Sequence, residues 1–176
     1  RVPPRLRLPP NLYFVGTVNV DESTFAFSPK VLDRAFTIEV KDVDLTDYPP
    51  EVEPTPAGED GVDEALLADF TRQGRFAQIT KADVAAWGRS RREYVALLDE
   101  LNQALLPHDL GFGYRVVDEI LAFMGALRES PLQDALSEDE AFDAAVMMKV
   151  LPKFHGPLSR VKAPLEAVMD WAGERF

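Results

Sequence analysis

The sequence predicts a mostly helical protein in which two parallel strands and a short helix precede an α-helical bundle. Leu12–Val18 and Phe36–Val40 are continuous apolar and β-branched runs, which are typical of strands buried on both faces. Ser28 and Pro29 lie between the two runs and predict a short helix start, with serine as the N-cap and proline at the first helical position. Beyond residue 80 the apolar residues recur at helical spacing.

The second half of the chain predicts four amphipathic helices with short connections, which together indicate a small bundle. Two capping boxes mark helix starts, Thr80 with Asp83 and Ser137 with Glu140. Pro152 is expected to end or kink the third helix. The four apolar stripes are Val84, Trp87, Tyr94, Leu97, Leu98, Leu101 and Leu105; Val116, Val117, Ile120, Leu121, Met124 and Leu127; Phe142, Val146, Val150 and Leu151; and Leu158, Val161, Leu165, Val168, Met169 and Ala172.

A change of composition divides the chain into three parts. The segment YPPEVEPTPAGEDG is rich in proline, glutamate and glycine, which predicts a solvated linker or insertion. Beyond it the chain is expected to be helical, beginning with a short helix at Asp63–Phe70. We therefore assign residues 1–47 to the strand-containing part, 48–80 to the acidic linker, and 81–176 to the helical domain. The sequence begins at Arg1 and reaches strand-like residues almost at once, which we interpret as a piece of a longer protein.

Charge and composition exclude several functions. The net charge is −11, and an acidic surface repels phosphate backbones. We therefore do not expect this chain to make the main contacts with a nucleic acid by itself. The absence of cysteine excludes disulfides and thiol chemistry and fits a reducing cytosol. No apolar run approaches the length of a membrane span, so we expect a cytoplasmic protein without membrane contacts.

No metal site is predicted. His108 and His155 are far apart and lack cysteine or spaced carboxylate companions, whereas a zinc site needs three or four ligands. Asp42, Asp44 and Asp47 are spaced like part of a calcium loop, but the glycine and the bidentate glutamate of such a loop are missing. A solvated turn is the better interpretation of these three residues.

The stretch GTVNVDESTFAFSPKVLDR, residues 16–34, carries the candidate chemistry. Ligands of open α/β sheets lie beyond the carboxyl ends of strands, where Asn19 is expected, and its neutral amide could orient an attacking water. Arg34 ends the predicted helix, from which its guanidinium could stabilise phosphoryl charge in a neighbouring subunit. We expect Asp33 to hold the orientation of Arg34. The alternative is a core strand, a turn and a short helix without such a role.

These residues resemble a known family. LPPNLYFVGTVNVDESTFAFSPKVLDRAFTIEV resembles the region from sensor 1 to the arginine finger of AAA+ ATPases, in the branch of the McrB-like restriction NTPases. LGFGYRVVDEI and MMKVLPKFHGPLSRV resemble the helical lid of the same family. The resemblance covers about residues 5–41 and 95–165.

The resemblance implies roles for three residues. Asn19 would be sensor 1, Arg34 would be an arginine finger that acts in trans, and Arg115 would be sensor 2, which reaches the nucleotide phosphates from the lid. The alternative for Arg115 is an ion pair with Asp118 or Glu119.

The resemblance also implies which parts of the nucleotide site are absent from the sequence. Residues 1–47 would be the C-terminal part of a P-loop NTPase core, and residues 81–176 its lid. The family places its Walker A and Walker B motifs upstream, so Asp21 and Glu22 are not assigned to a metal. The chain alone is therefore expected to be inactive and to use ATP or GTP with Mg²⁺ only together with the missing half.

The function implied by the resemblance is NTP hydrolysis in a homo-oligomeric ring, as the NTPase subunit of a McrBC-like DNA restriction system. The expected partners are the remainder of the AAA+ module, a McrC-like nuclease subunit, and DNA bound through other domains or subunits. The alternative is a non-catalytic module derived from an AAA+ protein, whose helical bundle docks partners. The presence of both Asn19 and Arg34 favours the NTPase.

Overall fold

The computed structural model describes residues 9, 11–18, 27–40, 64–72, 74, 79–130 and 133–173. Within these residues the chain forms seven α-helices, and short 3₁₀ turns follow two of them at Leu106–His108 and Leu151–Lys153. The α-helices are α1 (Pro29–Leu32), α2 (Glu64–Thr71), α3 (Lys81–Ser90), α4 (Arg92–Leu105), α5 (Tyr114–Arg128), α6 (Glu138–Lys149) and α7 (Leu158–Gly173).

The predicted strands do not form, so the α/β fold class and its two-stranded P-loop core fragment are wrong. Residues 12–18 and 36–40 have no regular secondary structure, and the described part of the chain contains no sheet. The side chains of Val15 and Val40 are 93% and 90% exposed, where a buried strand was expected. β-Branched composition favours an extended backbone, but a strand also needs a neighbour to complete its hydrogen-bond ladder.

The hydrophobic core lies between α4, α5 and α6. Helix α5 packs against α6 and α3, and α4 packs against α7. The predicted stripes of these three central helices are largely confirmed, because most of their residues point into this core. Its buried members are Tyr94, Leu98, Leu101, Leu105, Phe112, Val116, Ile120, Met124, Ala141, Phe142, Ala145, Val146 and Val150.

The predicted stripe of the last helix is only partly buried. Val168 packs against the core together with Trp171, which the stripe did not include. Leu158 and Met169 are 71% and 70% exposed. The helix therefore uses a narrower apolar face than its sequence suggests, and Pro164 is buried inside it.

Both predicted capping boxes are confirmed. The Thr80 hydroxyl accepts a hydrogen bond from the Asp83 backbone N–H at 3.2 Å, and Ser137 and Glu140 make the same reciprocal pair. The backbone N–H and the hydroxyl of Ser137 both donate to the Glu140 carboxylate at 2.8 Å. These bonds hold the pKa of Glu140 below its ordinary value, because they stabilise the charged form.

A continuous helix was expected after Thr80, but the structure divides it into α3 and α4 at Arg91. This residue leaves the helical backbone conformation, with φ −122° and ψ 45°, and its side chain is buried. Its guanidinium donates to Glu138 at 2.7 Å, and Arg128 reaches the same carboxylate at 3.2 Å. The break therefore places a buried arginine against the start of α6.

Helices α3 and α5 approach each other closely at glycines. A Cβ atom on Gly125 would lie 2.3 Å from Cδ2 of Trp87, so the indole ring lies directly against the glycine backbone. On the facing helix, a Cβ atom on Gly88 would lie 3.3 Å from a terminal methyl group of Leu121. The absence of side chains at the two glycines thus sets the distance between these helices.

Candidate functional site

The turn that ends α1 is the best-defined candidate site. Helix α1 has only four residues, and an isolated helix of that length is not stable in water. The backbone N–H of Arg34 donates to the Val31 carbonyl at 2.9 Å, which closes the last turn. The Leu32 side chain is buried and anchors the helix. Contacts from the helical bundle must therefore stabilise this segment.

Lys149, the last residue of α6, provides the main contact. Its side chain is fully buried, and its ammonium donates to the carbonyl oxygens of Asp33 and Ala35 at 3.1 and 3.0 Å. It also reaches the Leu32 carbonyl at 3.4 Å and lies 4.9 Å from the centre of the Phe36 ring. The last carbonyls of a helix lack intrahelical partners and carry partial negative charge. Lys149 therefore holds the last residue of α1 and the turn that follows it from a position more than 100 residues away in sequence.

The carboxylate of Glu119 on α5 balances the charge of Lys149. The two groups form a direct hydrogen-bonded ion pair, and the Glu119 side chain is 27% exposed. An ammonium removed from water needs an opposite charge and full hydrogen bonding to be tolerated. Glu119 and the carbonyl oxygens together satisfy that need, so α5, α6 and the α1 turn meet at one cation.

A second lysine contacts the same turn through the side chain of Asp33. Lys153 Nζ lies 2.6 Å from a carboxylate oxygen of Asp33 and 5.9 Å from the centre of the Phe112 ring. Asp33 therefore pairs with Lys153 rather than with Arg34, which corrects the expectation that it orients Arg34 directly. On the other side of the turn, the Thr37 N–H donates to the Met148 carbonyl at 3.1 Å.

Arg34 lies on the outer side of this turn. Its side chain is exposed, and its guanidinium makes no hydrogen bond or ion pair with any residue that the structure describes. The backbone on either side is bound through Asp33, Ala35 and Thr37. The arrangement presents an exposed guanidinium on a turn whose backbone is held in place. We call the turn 32–35 with Lys149, Lys153 and Glu119 the lysine clamp.

Of the other predicted site residues, the structure describes Arg115 only. Asn19, Asp21 and Glu22 lie outside the described residues, so the role of Asn19 stays a prediction. Arg115 is exposed at the second position of α5. Among the described residues the alternative ion pair is found with neither Asp118 nor Glu119, and the Glu119 carboxylate binds Lys149 instead. Arg115 precedes Glu119 by four residues, or about one helical turn.

Among the described residues, no group of three or more histidine, aspartate or glutamate side chains is arranged to hold a metal ion. None of the described helices combines the length and the apolar character that a membrane span requires.

Comparison with known proteins gives one match. The family model described as a domain of unknown function, DUF8727, matches residues 66–176, which is more than half of the chain. The chain belongs to the DUF8727 family. No curated protein and no solved structure matches it significantly. The matched region contains α3 to α7, and therefore includes Glu119, Lys149 and Lys153 of the clamp but not the turn that they hold.

Sequence reasoning missed the two lysines, although one signal was present. Lys149 follows Phe142 by seven residues and Ala145 by four, so it lies on the buried face of α6. A lysine at a core position indicates a buried partner, because an unpaired ammonium is costly there. The identity of that partner was not accessible, since its oxygen atoms belong to the backbone of a distant turn.

Proposed function

We propose that this DUF8727 chain belongs to an AAA+ NTPase of the McrB-like branch and takes part in its NTP hydrolysis. In this proposal Arg34 completes the nucleotide site of a neighbouring subunit in a ring. The observation that carries the proposal is the exposed guanidinium of Arg34 on a turn whose backbone is bound from behind by Lys149.

Charge and geometry support this role. Phosphoryl transfer places negative charge on the equatorial oxygens of the transferred group, and catalysis depends mainly on positioning and electrostatic stabilisation. Arginine suits this task because its planar donors match phosphate oxygens and its charge persists at all physiological pH values. A guanidinium already paired within its own subunit would lose part of this capacity. Asp33, the nearest acid in sequence, is occupied by Lys153.

The remaining parts of the reaction belong to residues outside the described part or outside this chain. We propose that Asn19 orients the attacking water and that Arg115 contacts nucleotide phosphates from the helical domain. The nucleotide would be ATP or GTP with Mg²⁺, held by the phosphate loop and acidic residues of the other half of the module. A nuclease subunit and DNA would be engaged by the assembled ring through other domains or subunits.

The role of Arg34 is tested by steady-state NTP hydrolysis of the full-length protein. We expect Arg34→Ala to lower kcat by about 10³–10⁵-fold, the range known for arginine fingers. Arg34→Lys should recover little, because an ammonium cannot reproduce the planar bidentate contact. Lys30→Ala is the matched control, since it removes a positive charge from an exposed position on α1, four residues before Arg34. Equal rates for Arg34→Ala and Lys30→Ala would refute the proposal.

Action between subunits is tested by mixing two variants. In a ring of Arg34→Ala and Asn19→Ala subunits, some interfaces combine an intact Asn19 with an intact Arg34 of the neighbour. Random mixing in equal amounts gives about one quarter of such interfaces, so activity should recover toward that fraction of wild type. Failure of the mixture to exceed either variant alone would show that Arg34 does not act in trans.

A further inference from the structure

The lysine clamp connects α5 to the turn that carries Arg34. We infer that Lys149 and Glu119 are positioning residues, which set the orientation of Arg34 and make it depend on the position of α5. The catalytic part of this inference rests on the proposed function, whereas the link between α5 and the turn can be tested without it.

The contacts of Lys149 give the inference its physical basis. An ammonium has three N–H groups, and four oxygen atoms surround this one, from Leu32, Asp33, Ala35 and Glu119. The ammonium itself is closed to water, because the lysine side chain is fully buried, whereas the Glu119 side chain is 27% exposed. A displacement of the carboxylate must therefore change the geometry of the bonds around the ammonium.

The clamp acts on the backbone next to Arg34 rather than on Arg34 itself. Lys149 binds the carbonyl groups of the residues directly before and after Arg34, and Lys153 binds the side chain of the residue before it. The direction in which the arginine leaves the turn is consequently set by these bonds. A shift of about 1 Å in a reacting or stabilising group can change a rate by about 100-fold.

Helix α5 supplies the other end of the connection. Glu119 lies in its second turn, one turn after the exposed Arg115. Any ligand or movement that shifts the first turns of α5 must also move the Glu119 carboxylate, since a helix transmits displacement along its axis. The pair Glu119 and Lys149 thereby couples the start of α5 to Arg34 through two direct contacts.

The catalytic consequence is tested by kinetics of Lys149→Met in the full-length protein. Methionine keeps an unbranched side chain of similar length and removes the charge and the donors. We expect kcat to fall by about 10- to 100-fold while KM changes less than about twofold, because Arg34 acts on transition-state charge. Lys162→Met is the control, since Lys162 is an exposed lysine on α7, and it should leave both constants unchanged.

A double-mutant cycle separates positioning from general damage to the fold. If Lys149 acts through Arg34, Lys149→Met should have almost no further effect on the residual rate of Arg34→Ala. A loss by the same factor in both backgrounds would overturn the positioning role while leaving the function of Arg34 intact. Glu119→Gln gives a second, milder variant with the same shape, for which we expect a kcat about tenfold lower.

Hydrogen exchange tests the clamp independently of hydrolysis. In Glu119→Gln and Lys149→Met, the amides of Arg34 and Thr37 should exchange about 10- to 100-fold faster, because their turn has lost a charge-assisted contact. The amide of Leu101, in the core of α4, should be unchanged. If Arg34→Ala retains full hydrolysis, the proposed function fails, and faster exchange at these amides would still support the link to α5. Unchanged exchange at Arg34 and Thr37 would overturn the inference.

Discussion

Replacement of Gly125 by alanine tests the closest contact between α3 and α5. The added Cβ would lie 2.3, 2.4 and 2.8 Å from three atoms of the Trp87 ring, whereas ordinary contacts of Cβ begin at 3.4 Å. The ring must therefore move by about 1.1 Å, and it is rigid at the fused bond that meets the glycine. Overpacking of this kind costs about 1–3 kcal/mol.

The net effect also includes helix propensity. Alanine is favoured over glycine inside a helix by about 1 kcal/mol, which offsets part of the steric cost. Because the collision exceeds 1 Å and involves ring atoms, we use the upper part of the overpacking range. The free energy of unfolding should therefore fall by about 1–2 kcal/mol, which at a typical urea dependence lowers the midpoint by about 0.5–1 M.

The matched control is Gly88→Ala on the facing helix. Its Cβ would meet a terminal methyl group of Leu121 at 3.3 Å, and that methyl group can rotate away. The propensity gain should then dominate, so this variant should be as stable as wild type or up to about 1 kcal/mol more stable. Far-UV circular dichroism during urea unfolding measures the stability of both variants, Gly125→Ala and Gly88→Ala. The reasoning is refuted if Gly125→Ala unfolds at the same urea concentration as Gly88→Ala or at a higher one.

Four further predictions concern the helical domain. Ser137→Ala should lower the free energy of unfolding by about 1 kcal/mol, the usual cost of a lost N-cap, measured by urea unfolding at pH 7. Glu140→Gln should be destabilising at neutral pH, and the difference from wild type should disappear as the pH falls through the lowered pKa of Glu140, because the carboxylate stabilises the fold only while it is charged; urea unfolding at a series of acidic pH values measures this. The pKa of Tyr94 is raised, first by burial and then by the hydrogen bond that its hydroxyl donates to Asp139. The neutral hydroxyl therefore stabilises the fold fully below about pH 10, and this contribution is lost as the pH rises further. In Tyr94→Phe the free energy of unfolding should consequently fall less with rising alkaline pH than in wild type. Leu101→Ala should cost about 2–5 kcal/mol, since the side chain is fully buried, and a smaller loss would show that the core can collapse around it.

The features predicted correctly from the sequence depend on neighbours along the chain. A capping box joins residues three positions apart, such as Ser137 and Glu140, and an apolar helix face repeats within two turns. All residues of such a pattern lie within a short segment, so the local structure that it predicts forms in the folded molecule. The helical domain could therefore be outlined from its residues alone.

The features that were missed or mistaken depend on distant partners. Residues 12–18 have strand-like composition, but composition does not provide the hydrogen-bonding neighbour that a strand needs. The break at Arg91 occurs where this residue pairs with Glu138, 47 residues away. Lys149 binds oxygen atoms more than 110 residues before it. No local pattern contains that information, and the role of Arg34 remains a proposal drawn from its chemistry and from resemblance.

The lysine clamp recognises main-chain atoms, which affects how this protein can change during evolution. Three of the four oxygen partners of Lys149 are carbonyl groups, and every amino acid supplies one. Substitutions in the turn that preserve its backbone would keep these bonds, whereas loss of the lysine or of Glu119 would leave a buried group uncompensated. Selection on residue identity should therefore be stronger at Lys149 and Glu119 than at turn positions that contribute only a carbonyl group. A comparison of related sequences would see a fixed lysine and glutamate facing a turn in which a position held only through its carbonyl, such as Ala35, can vary.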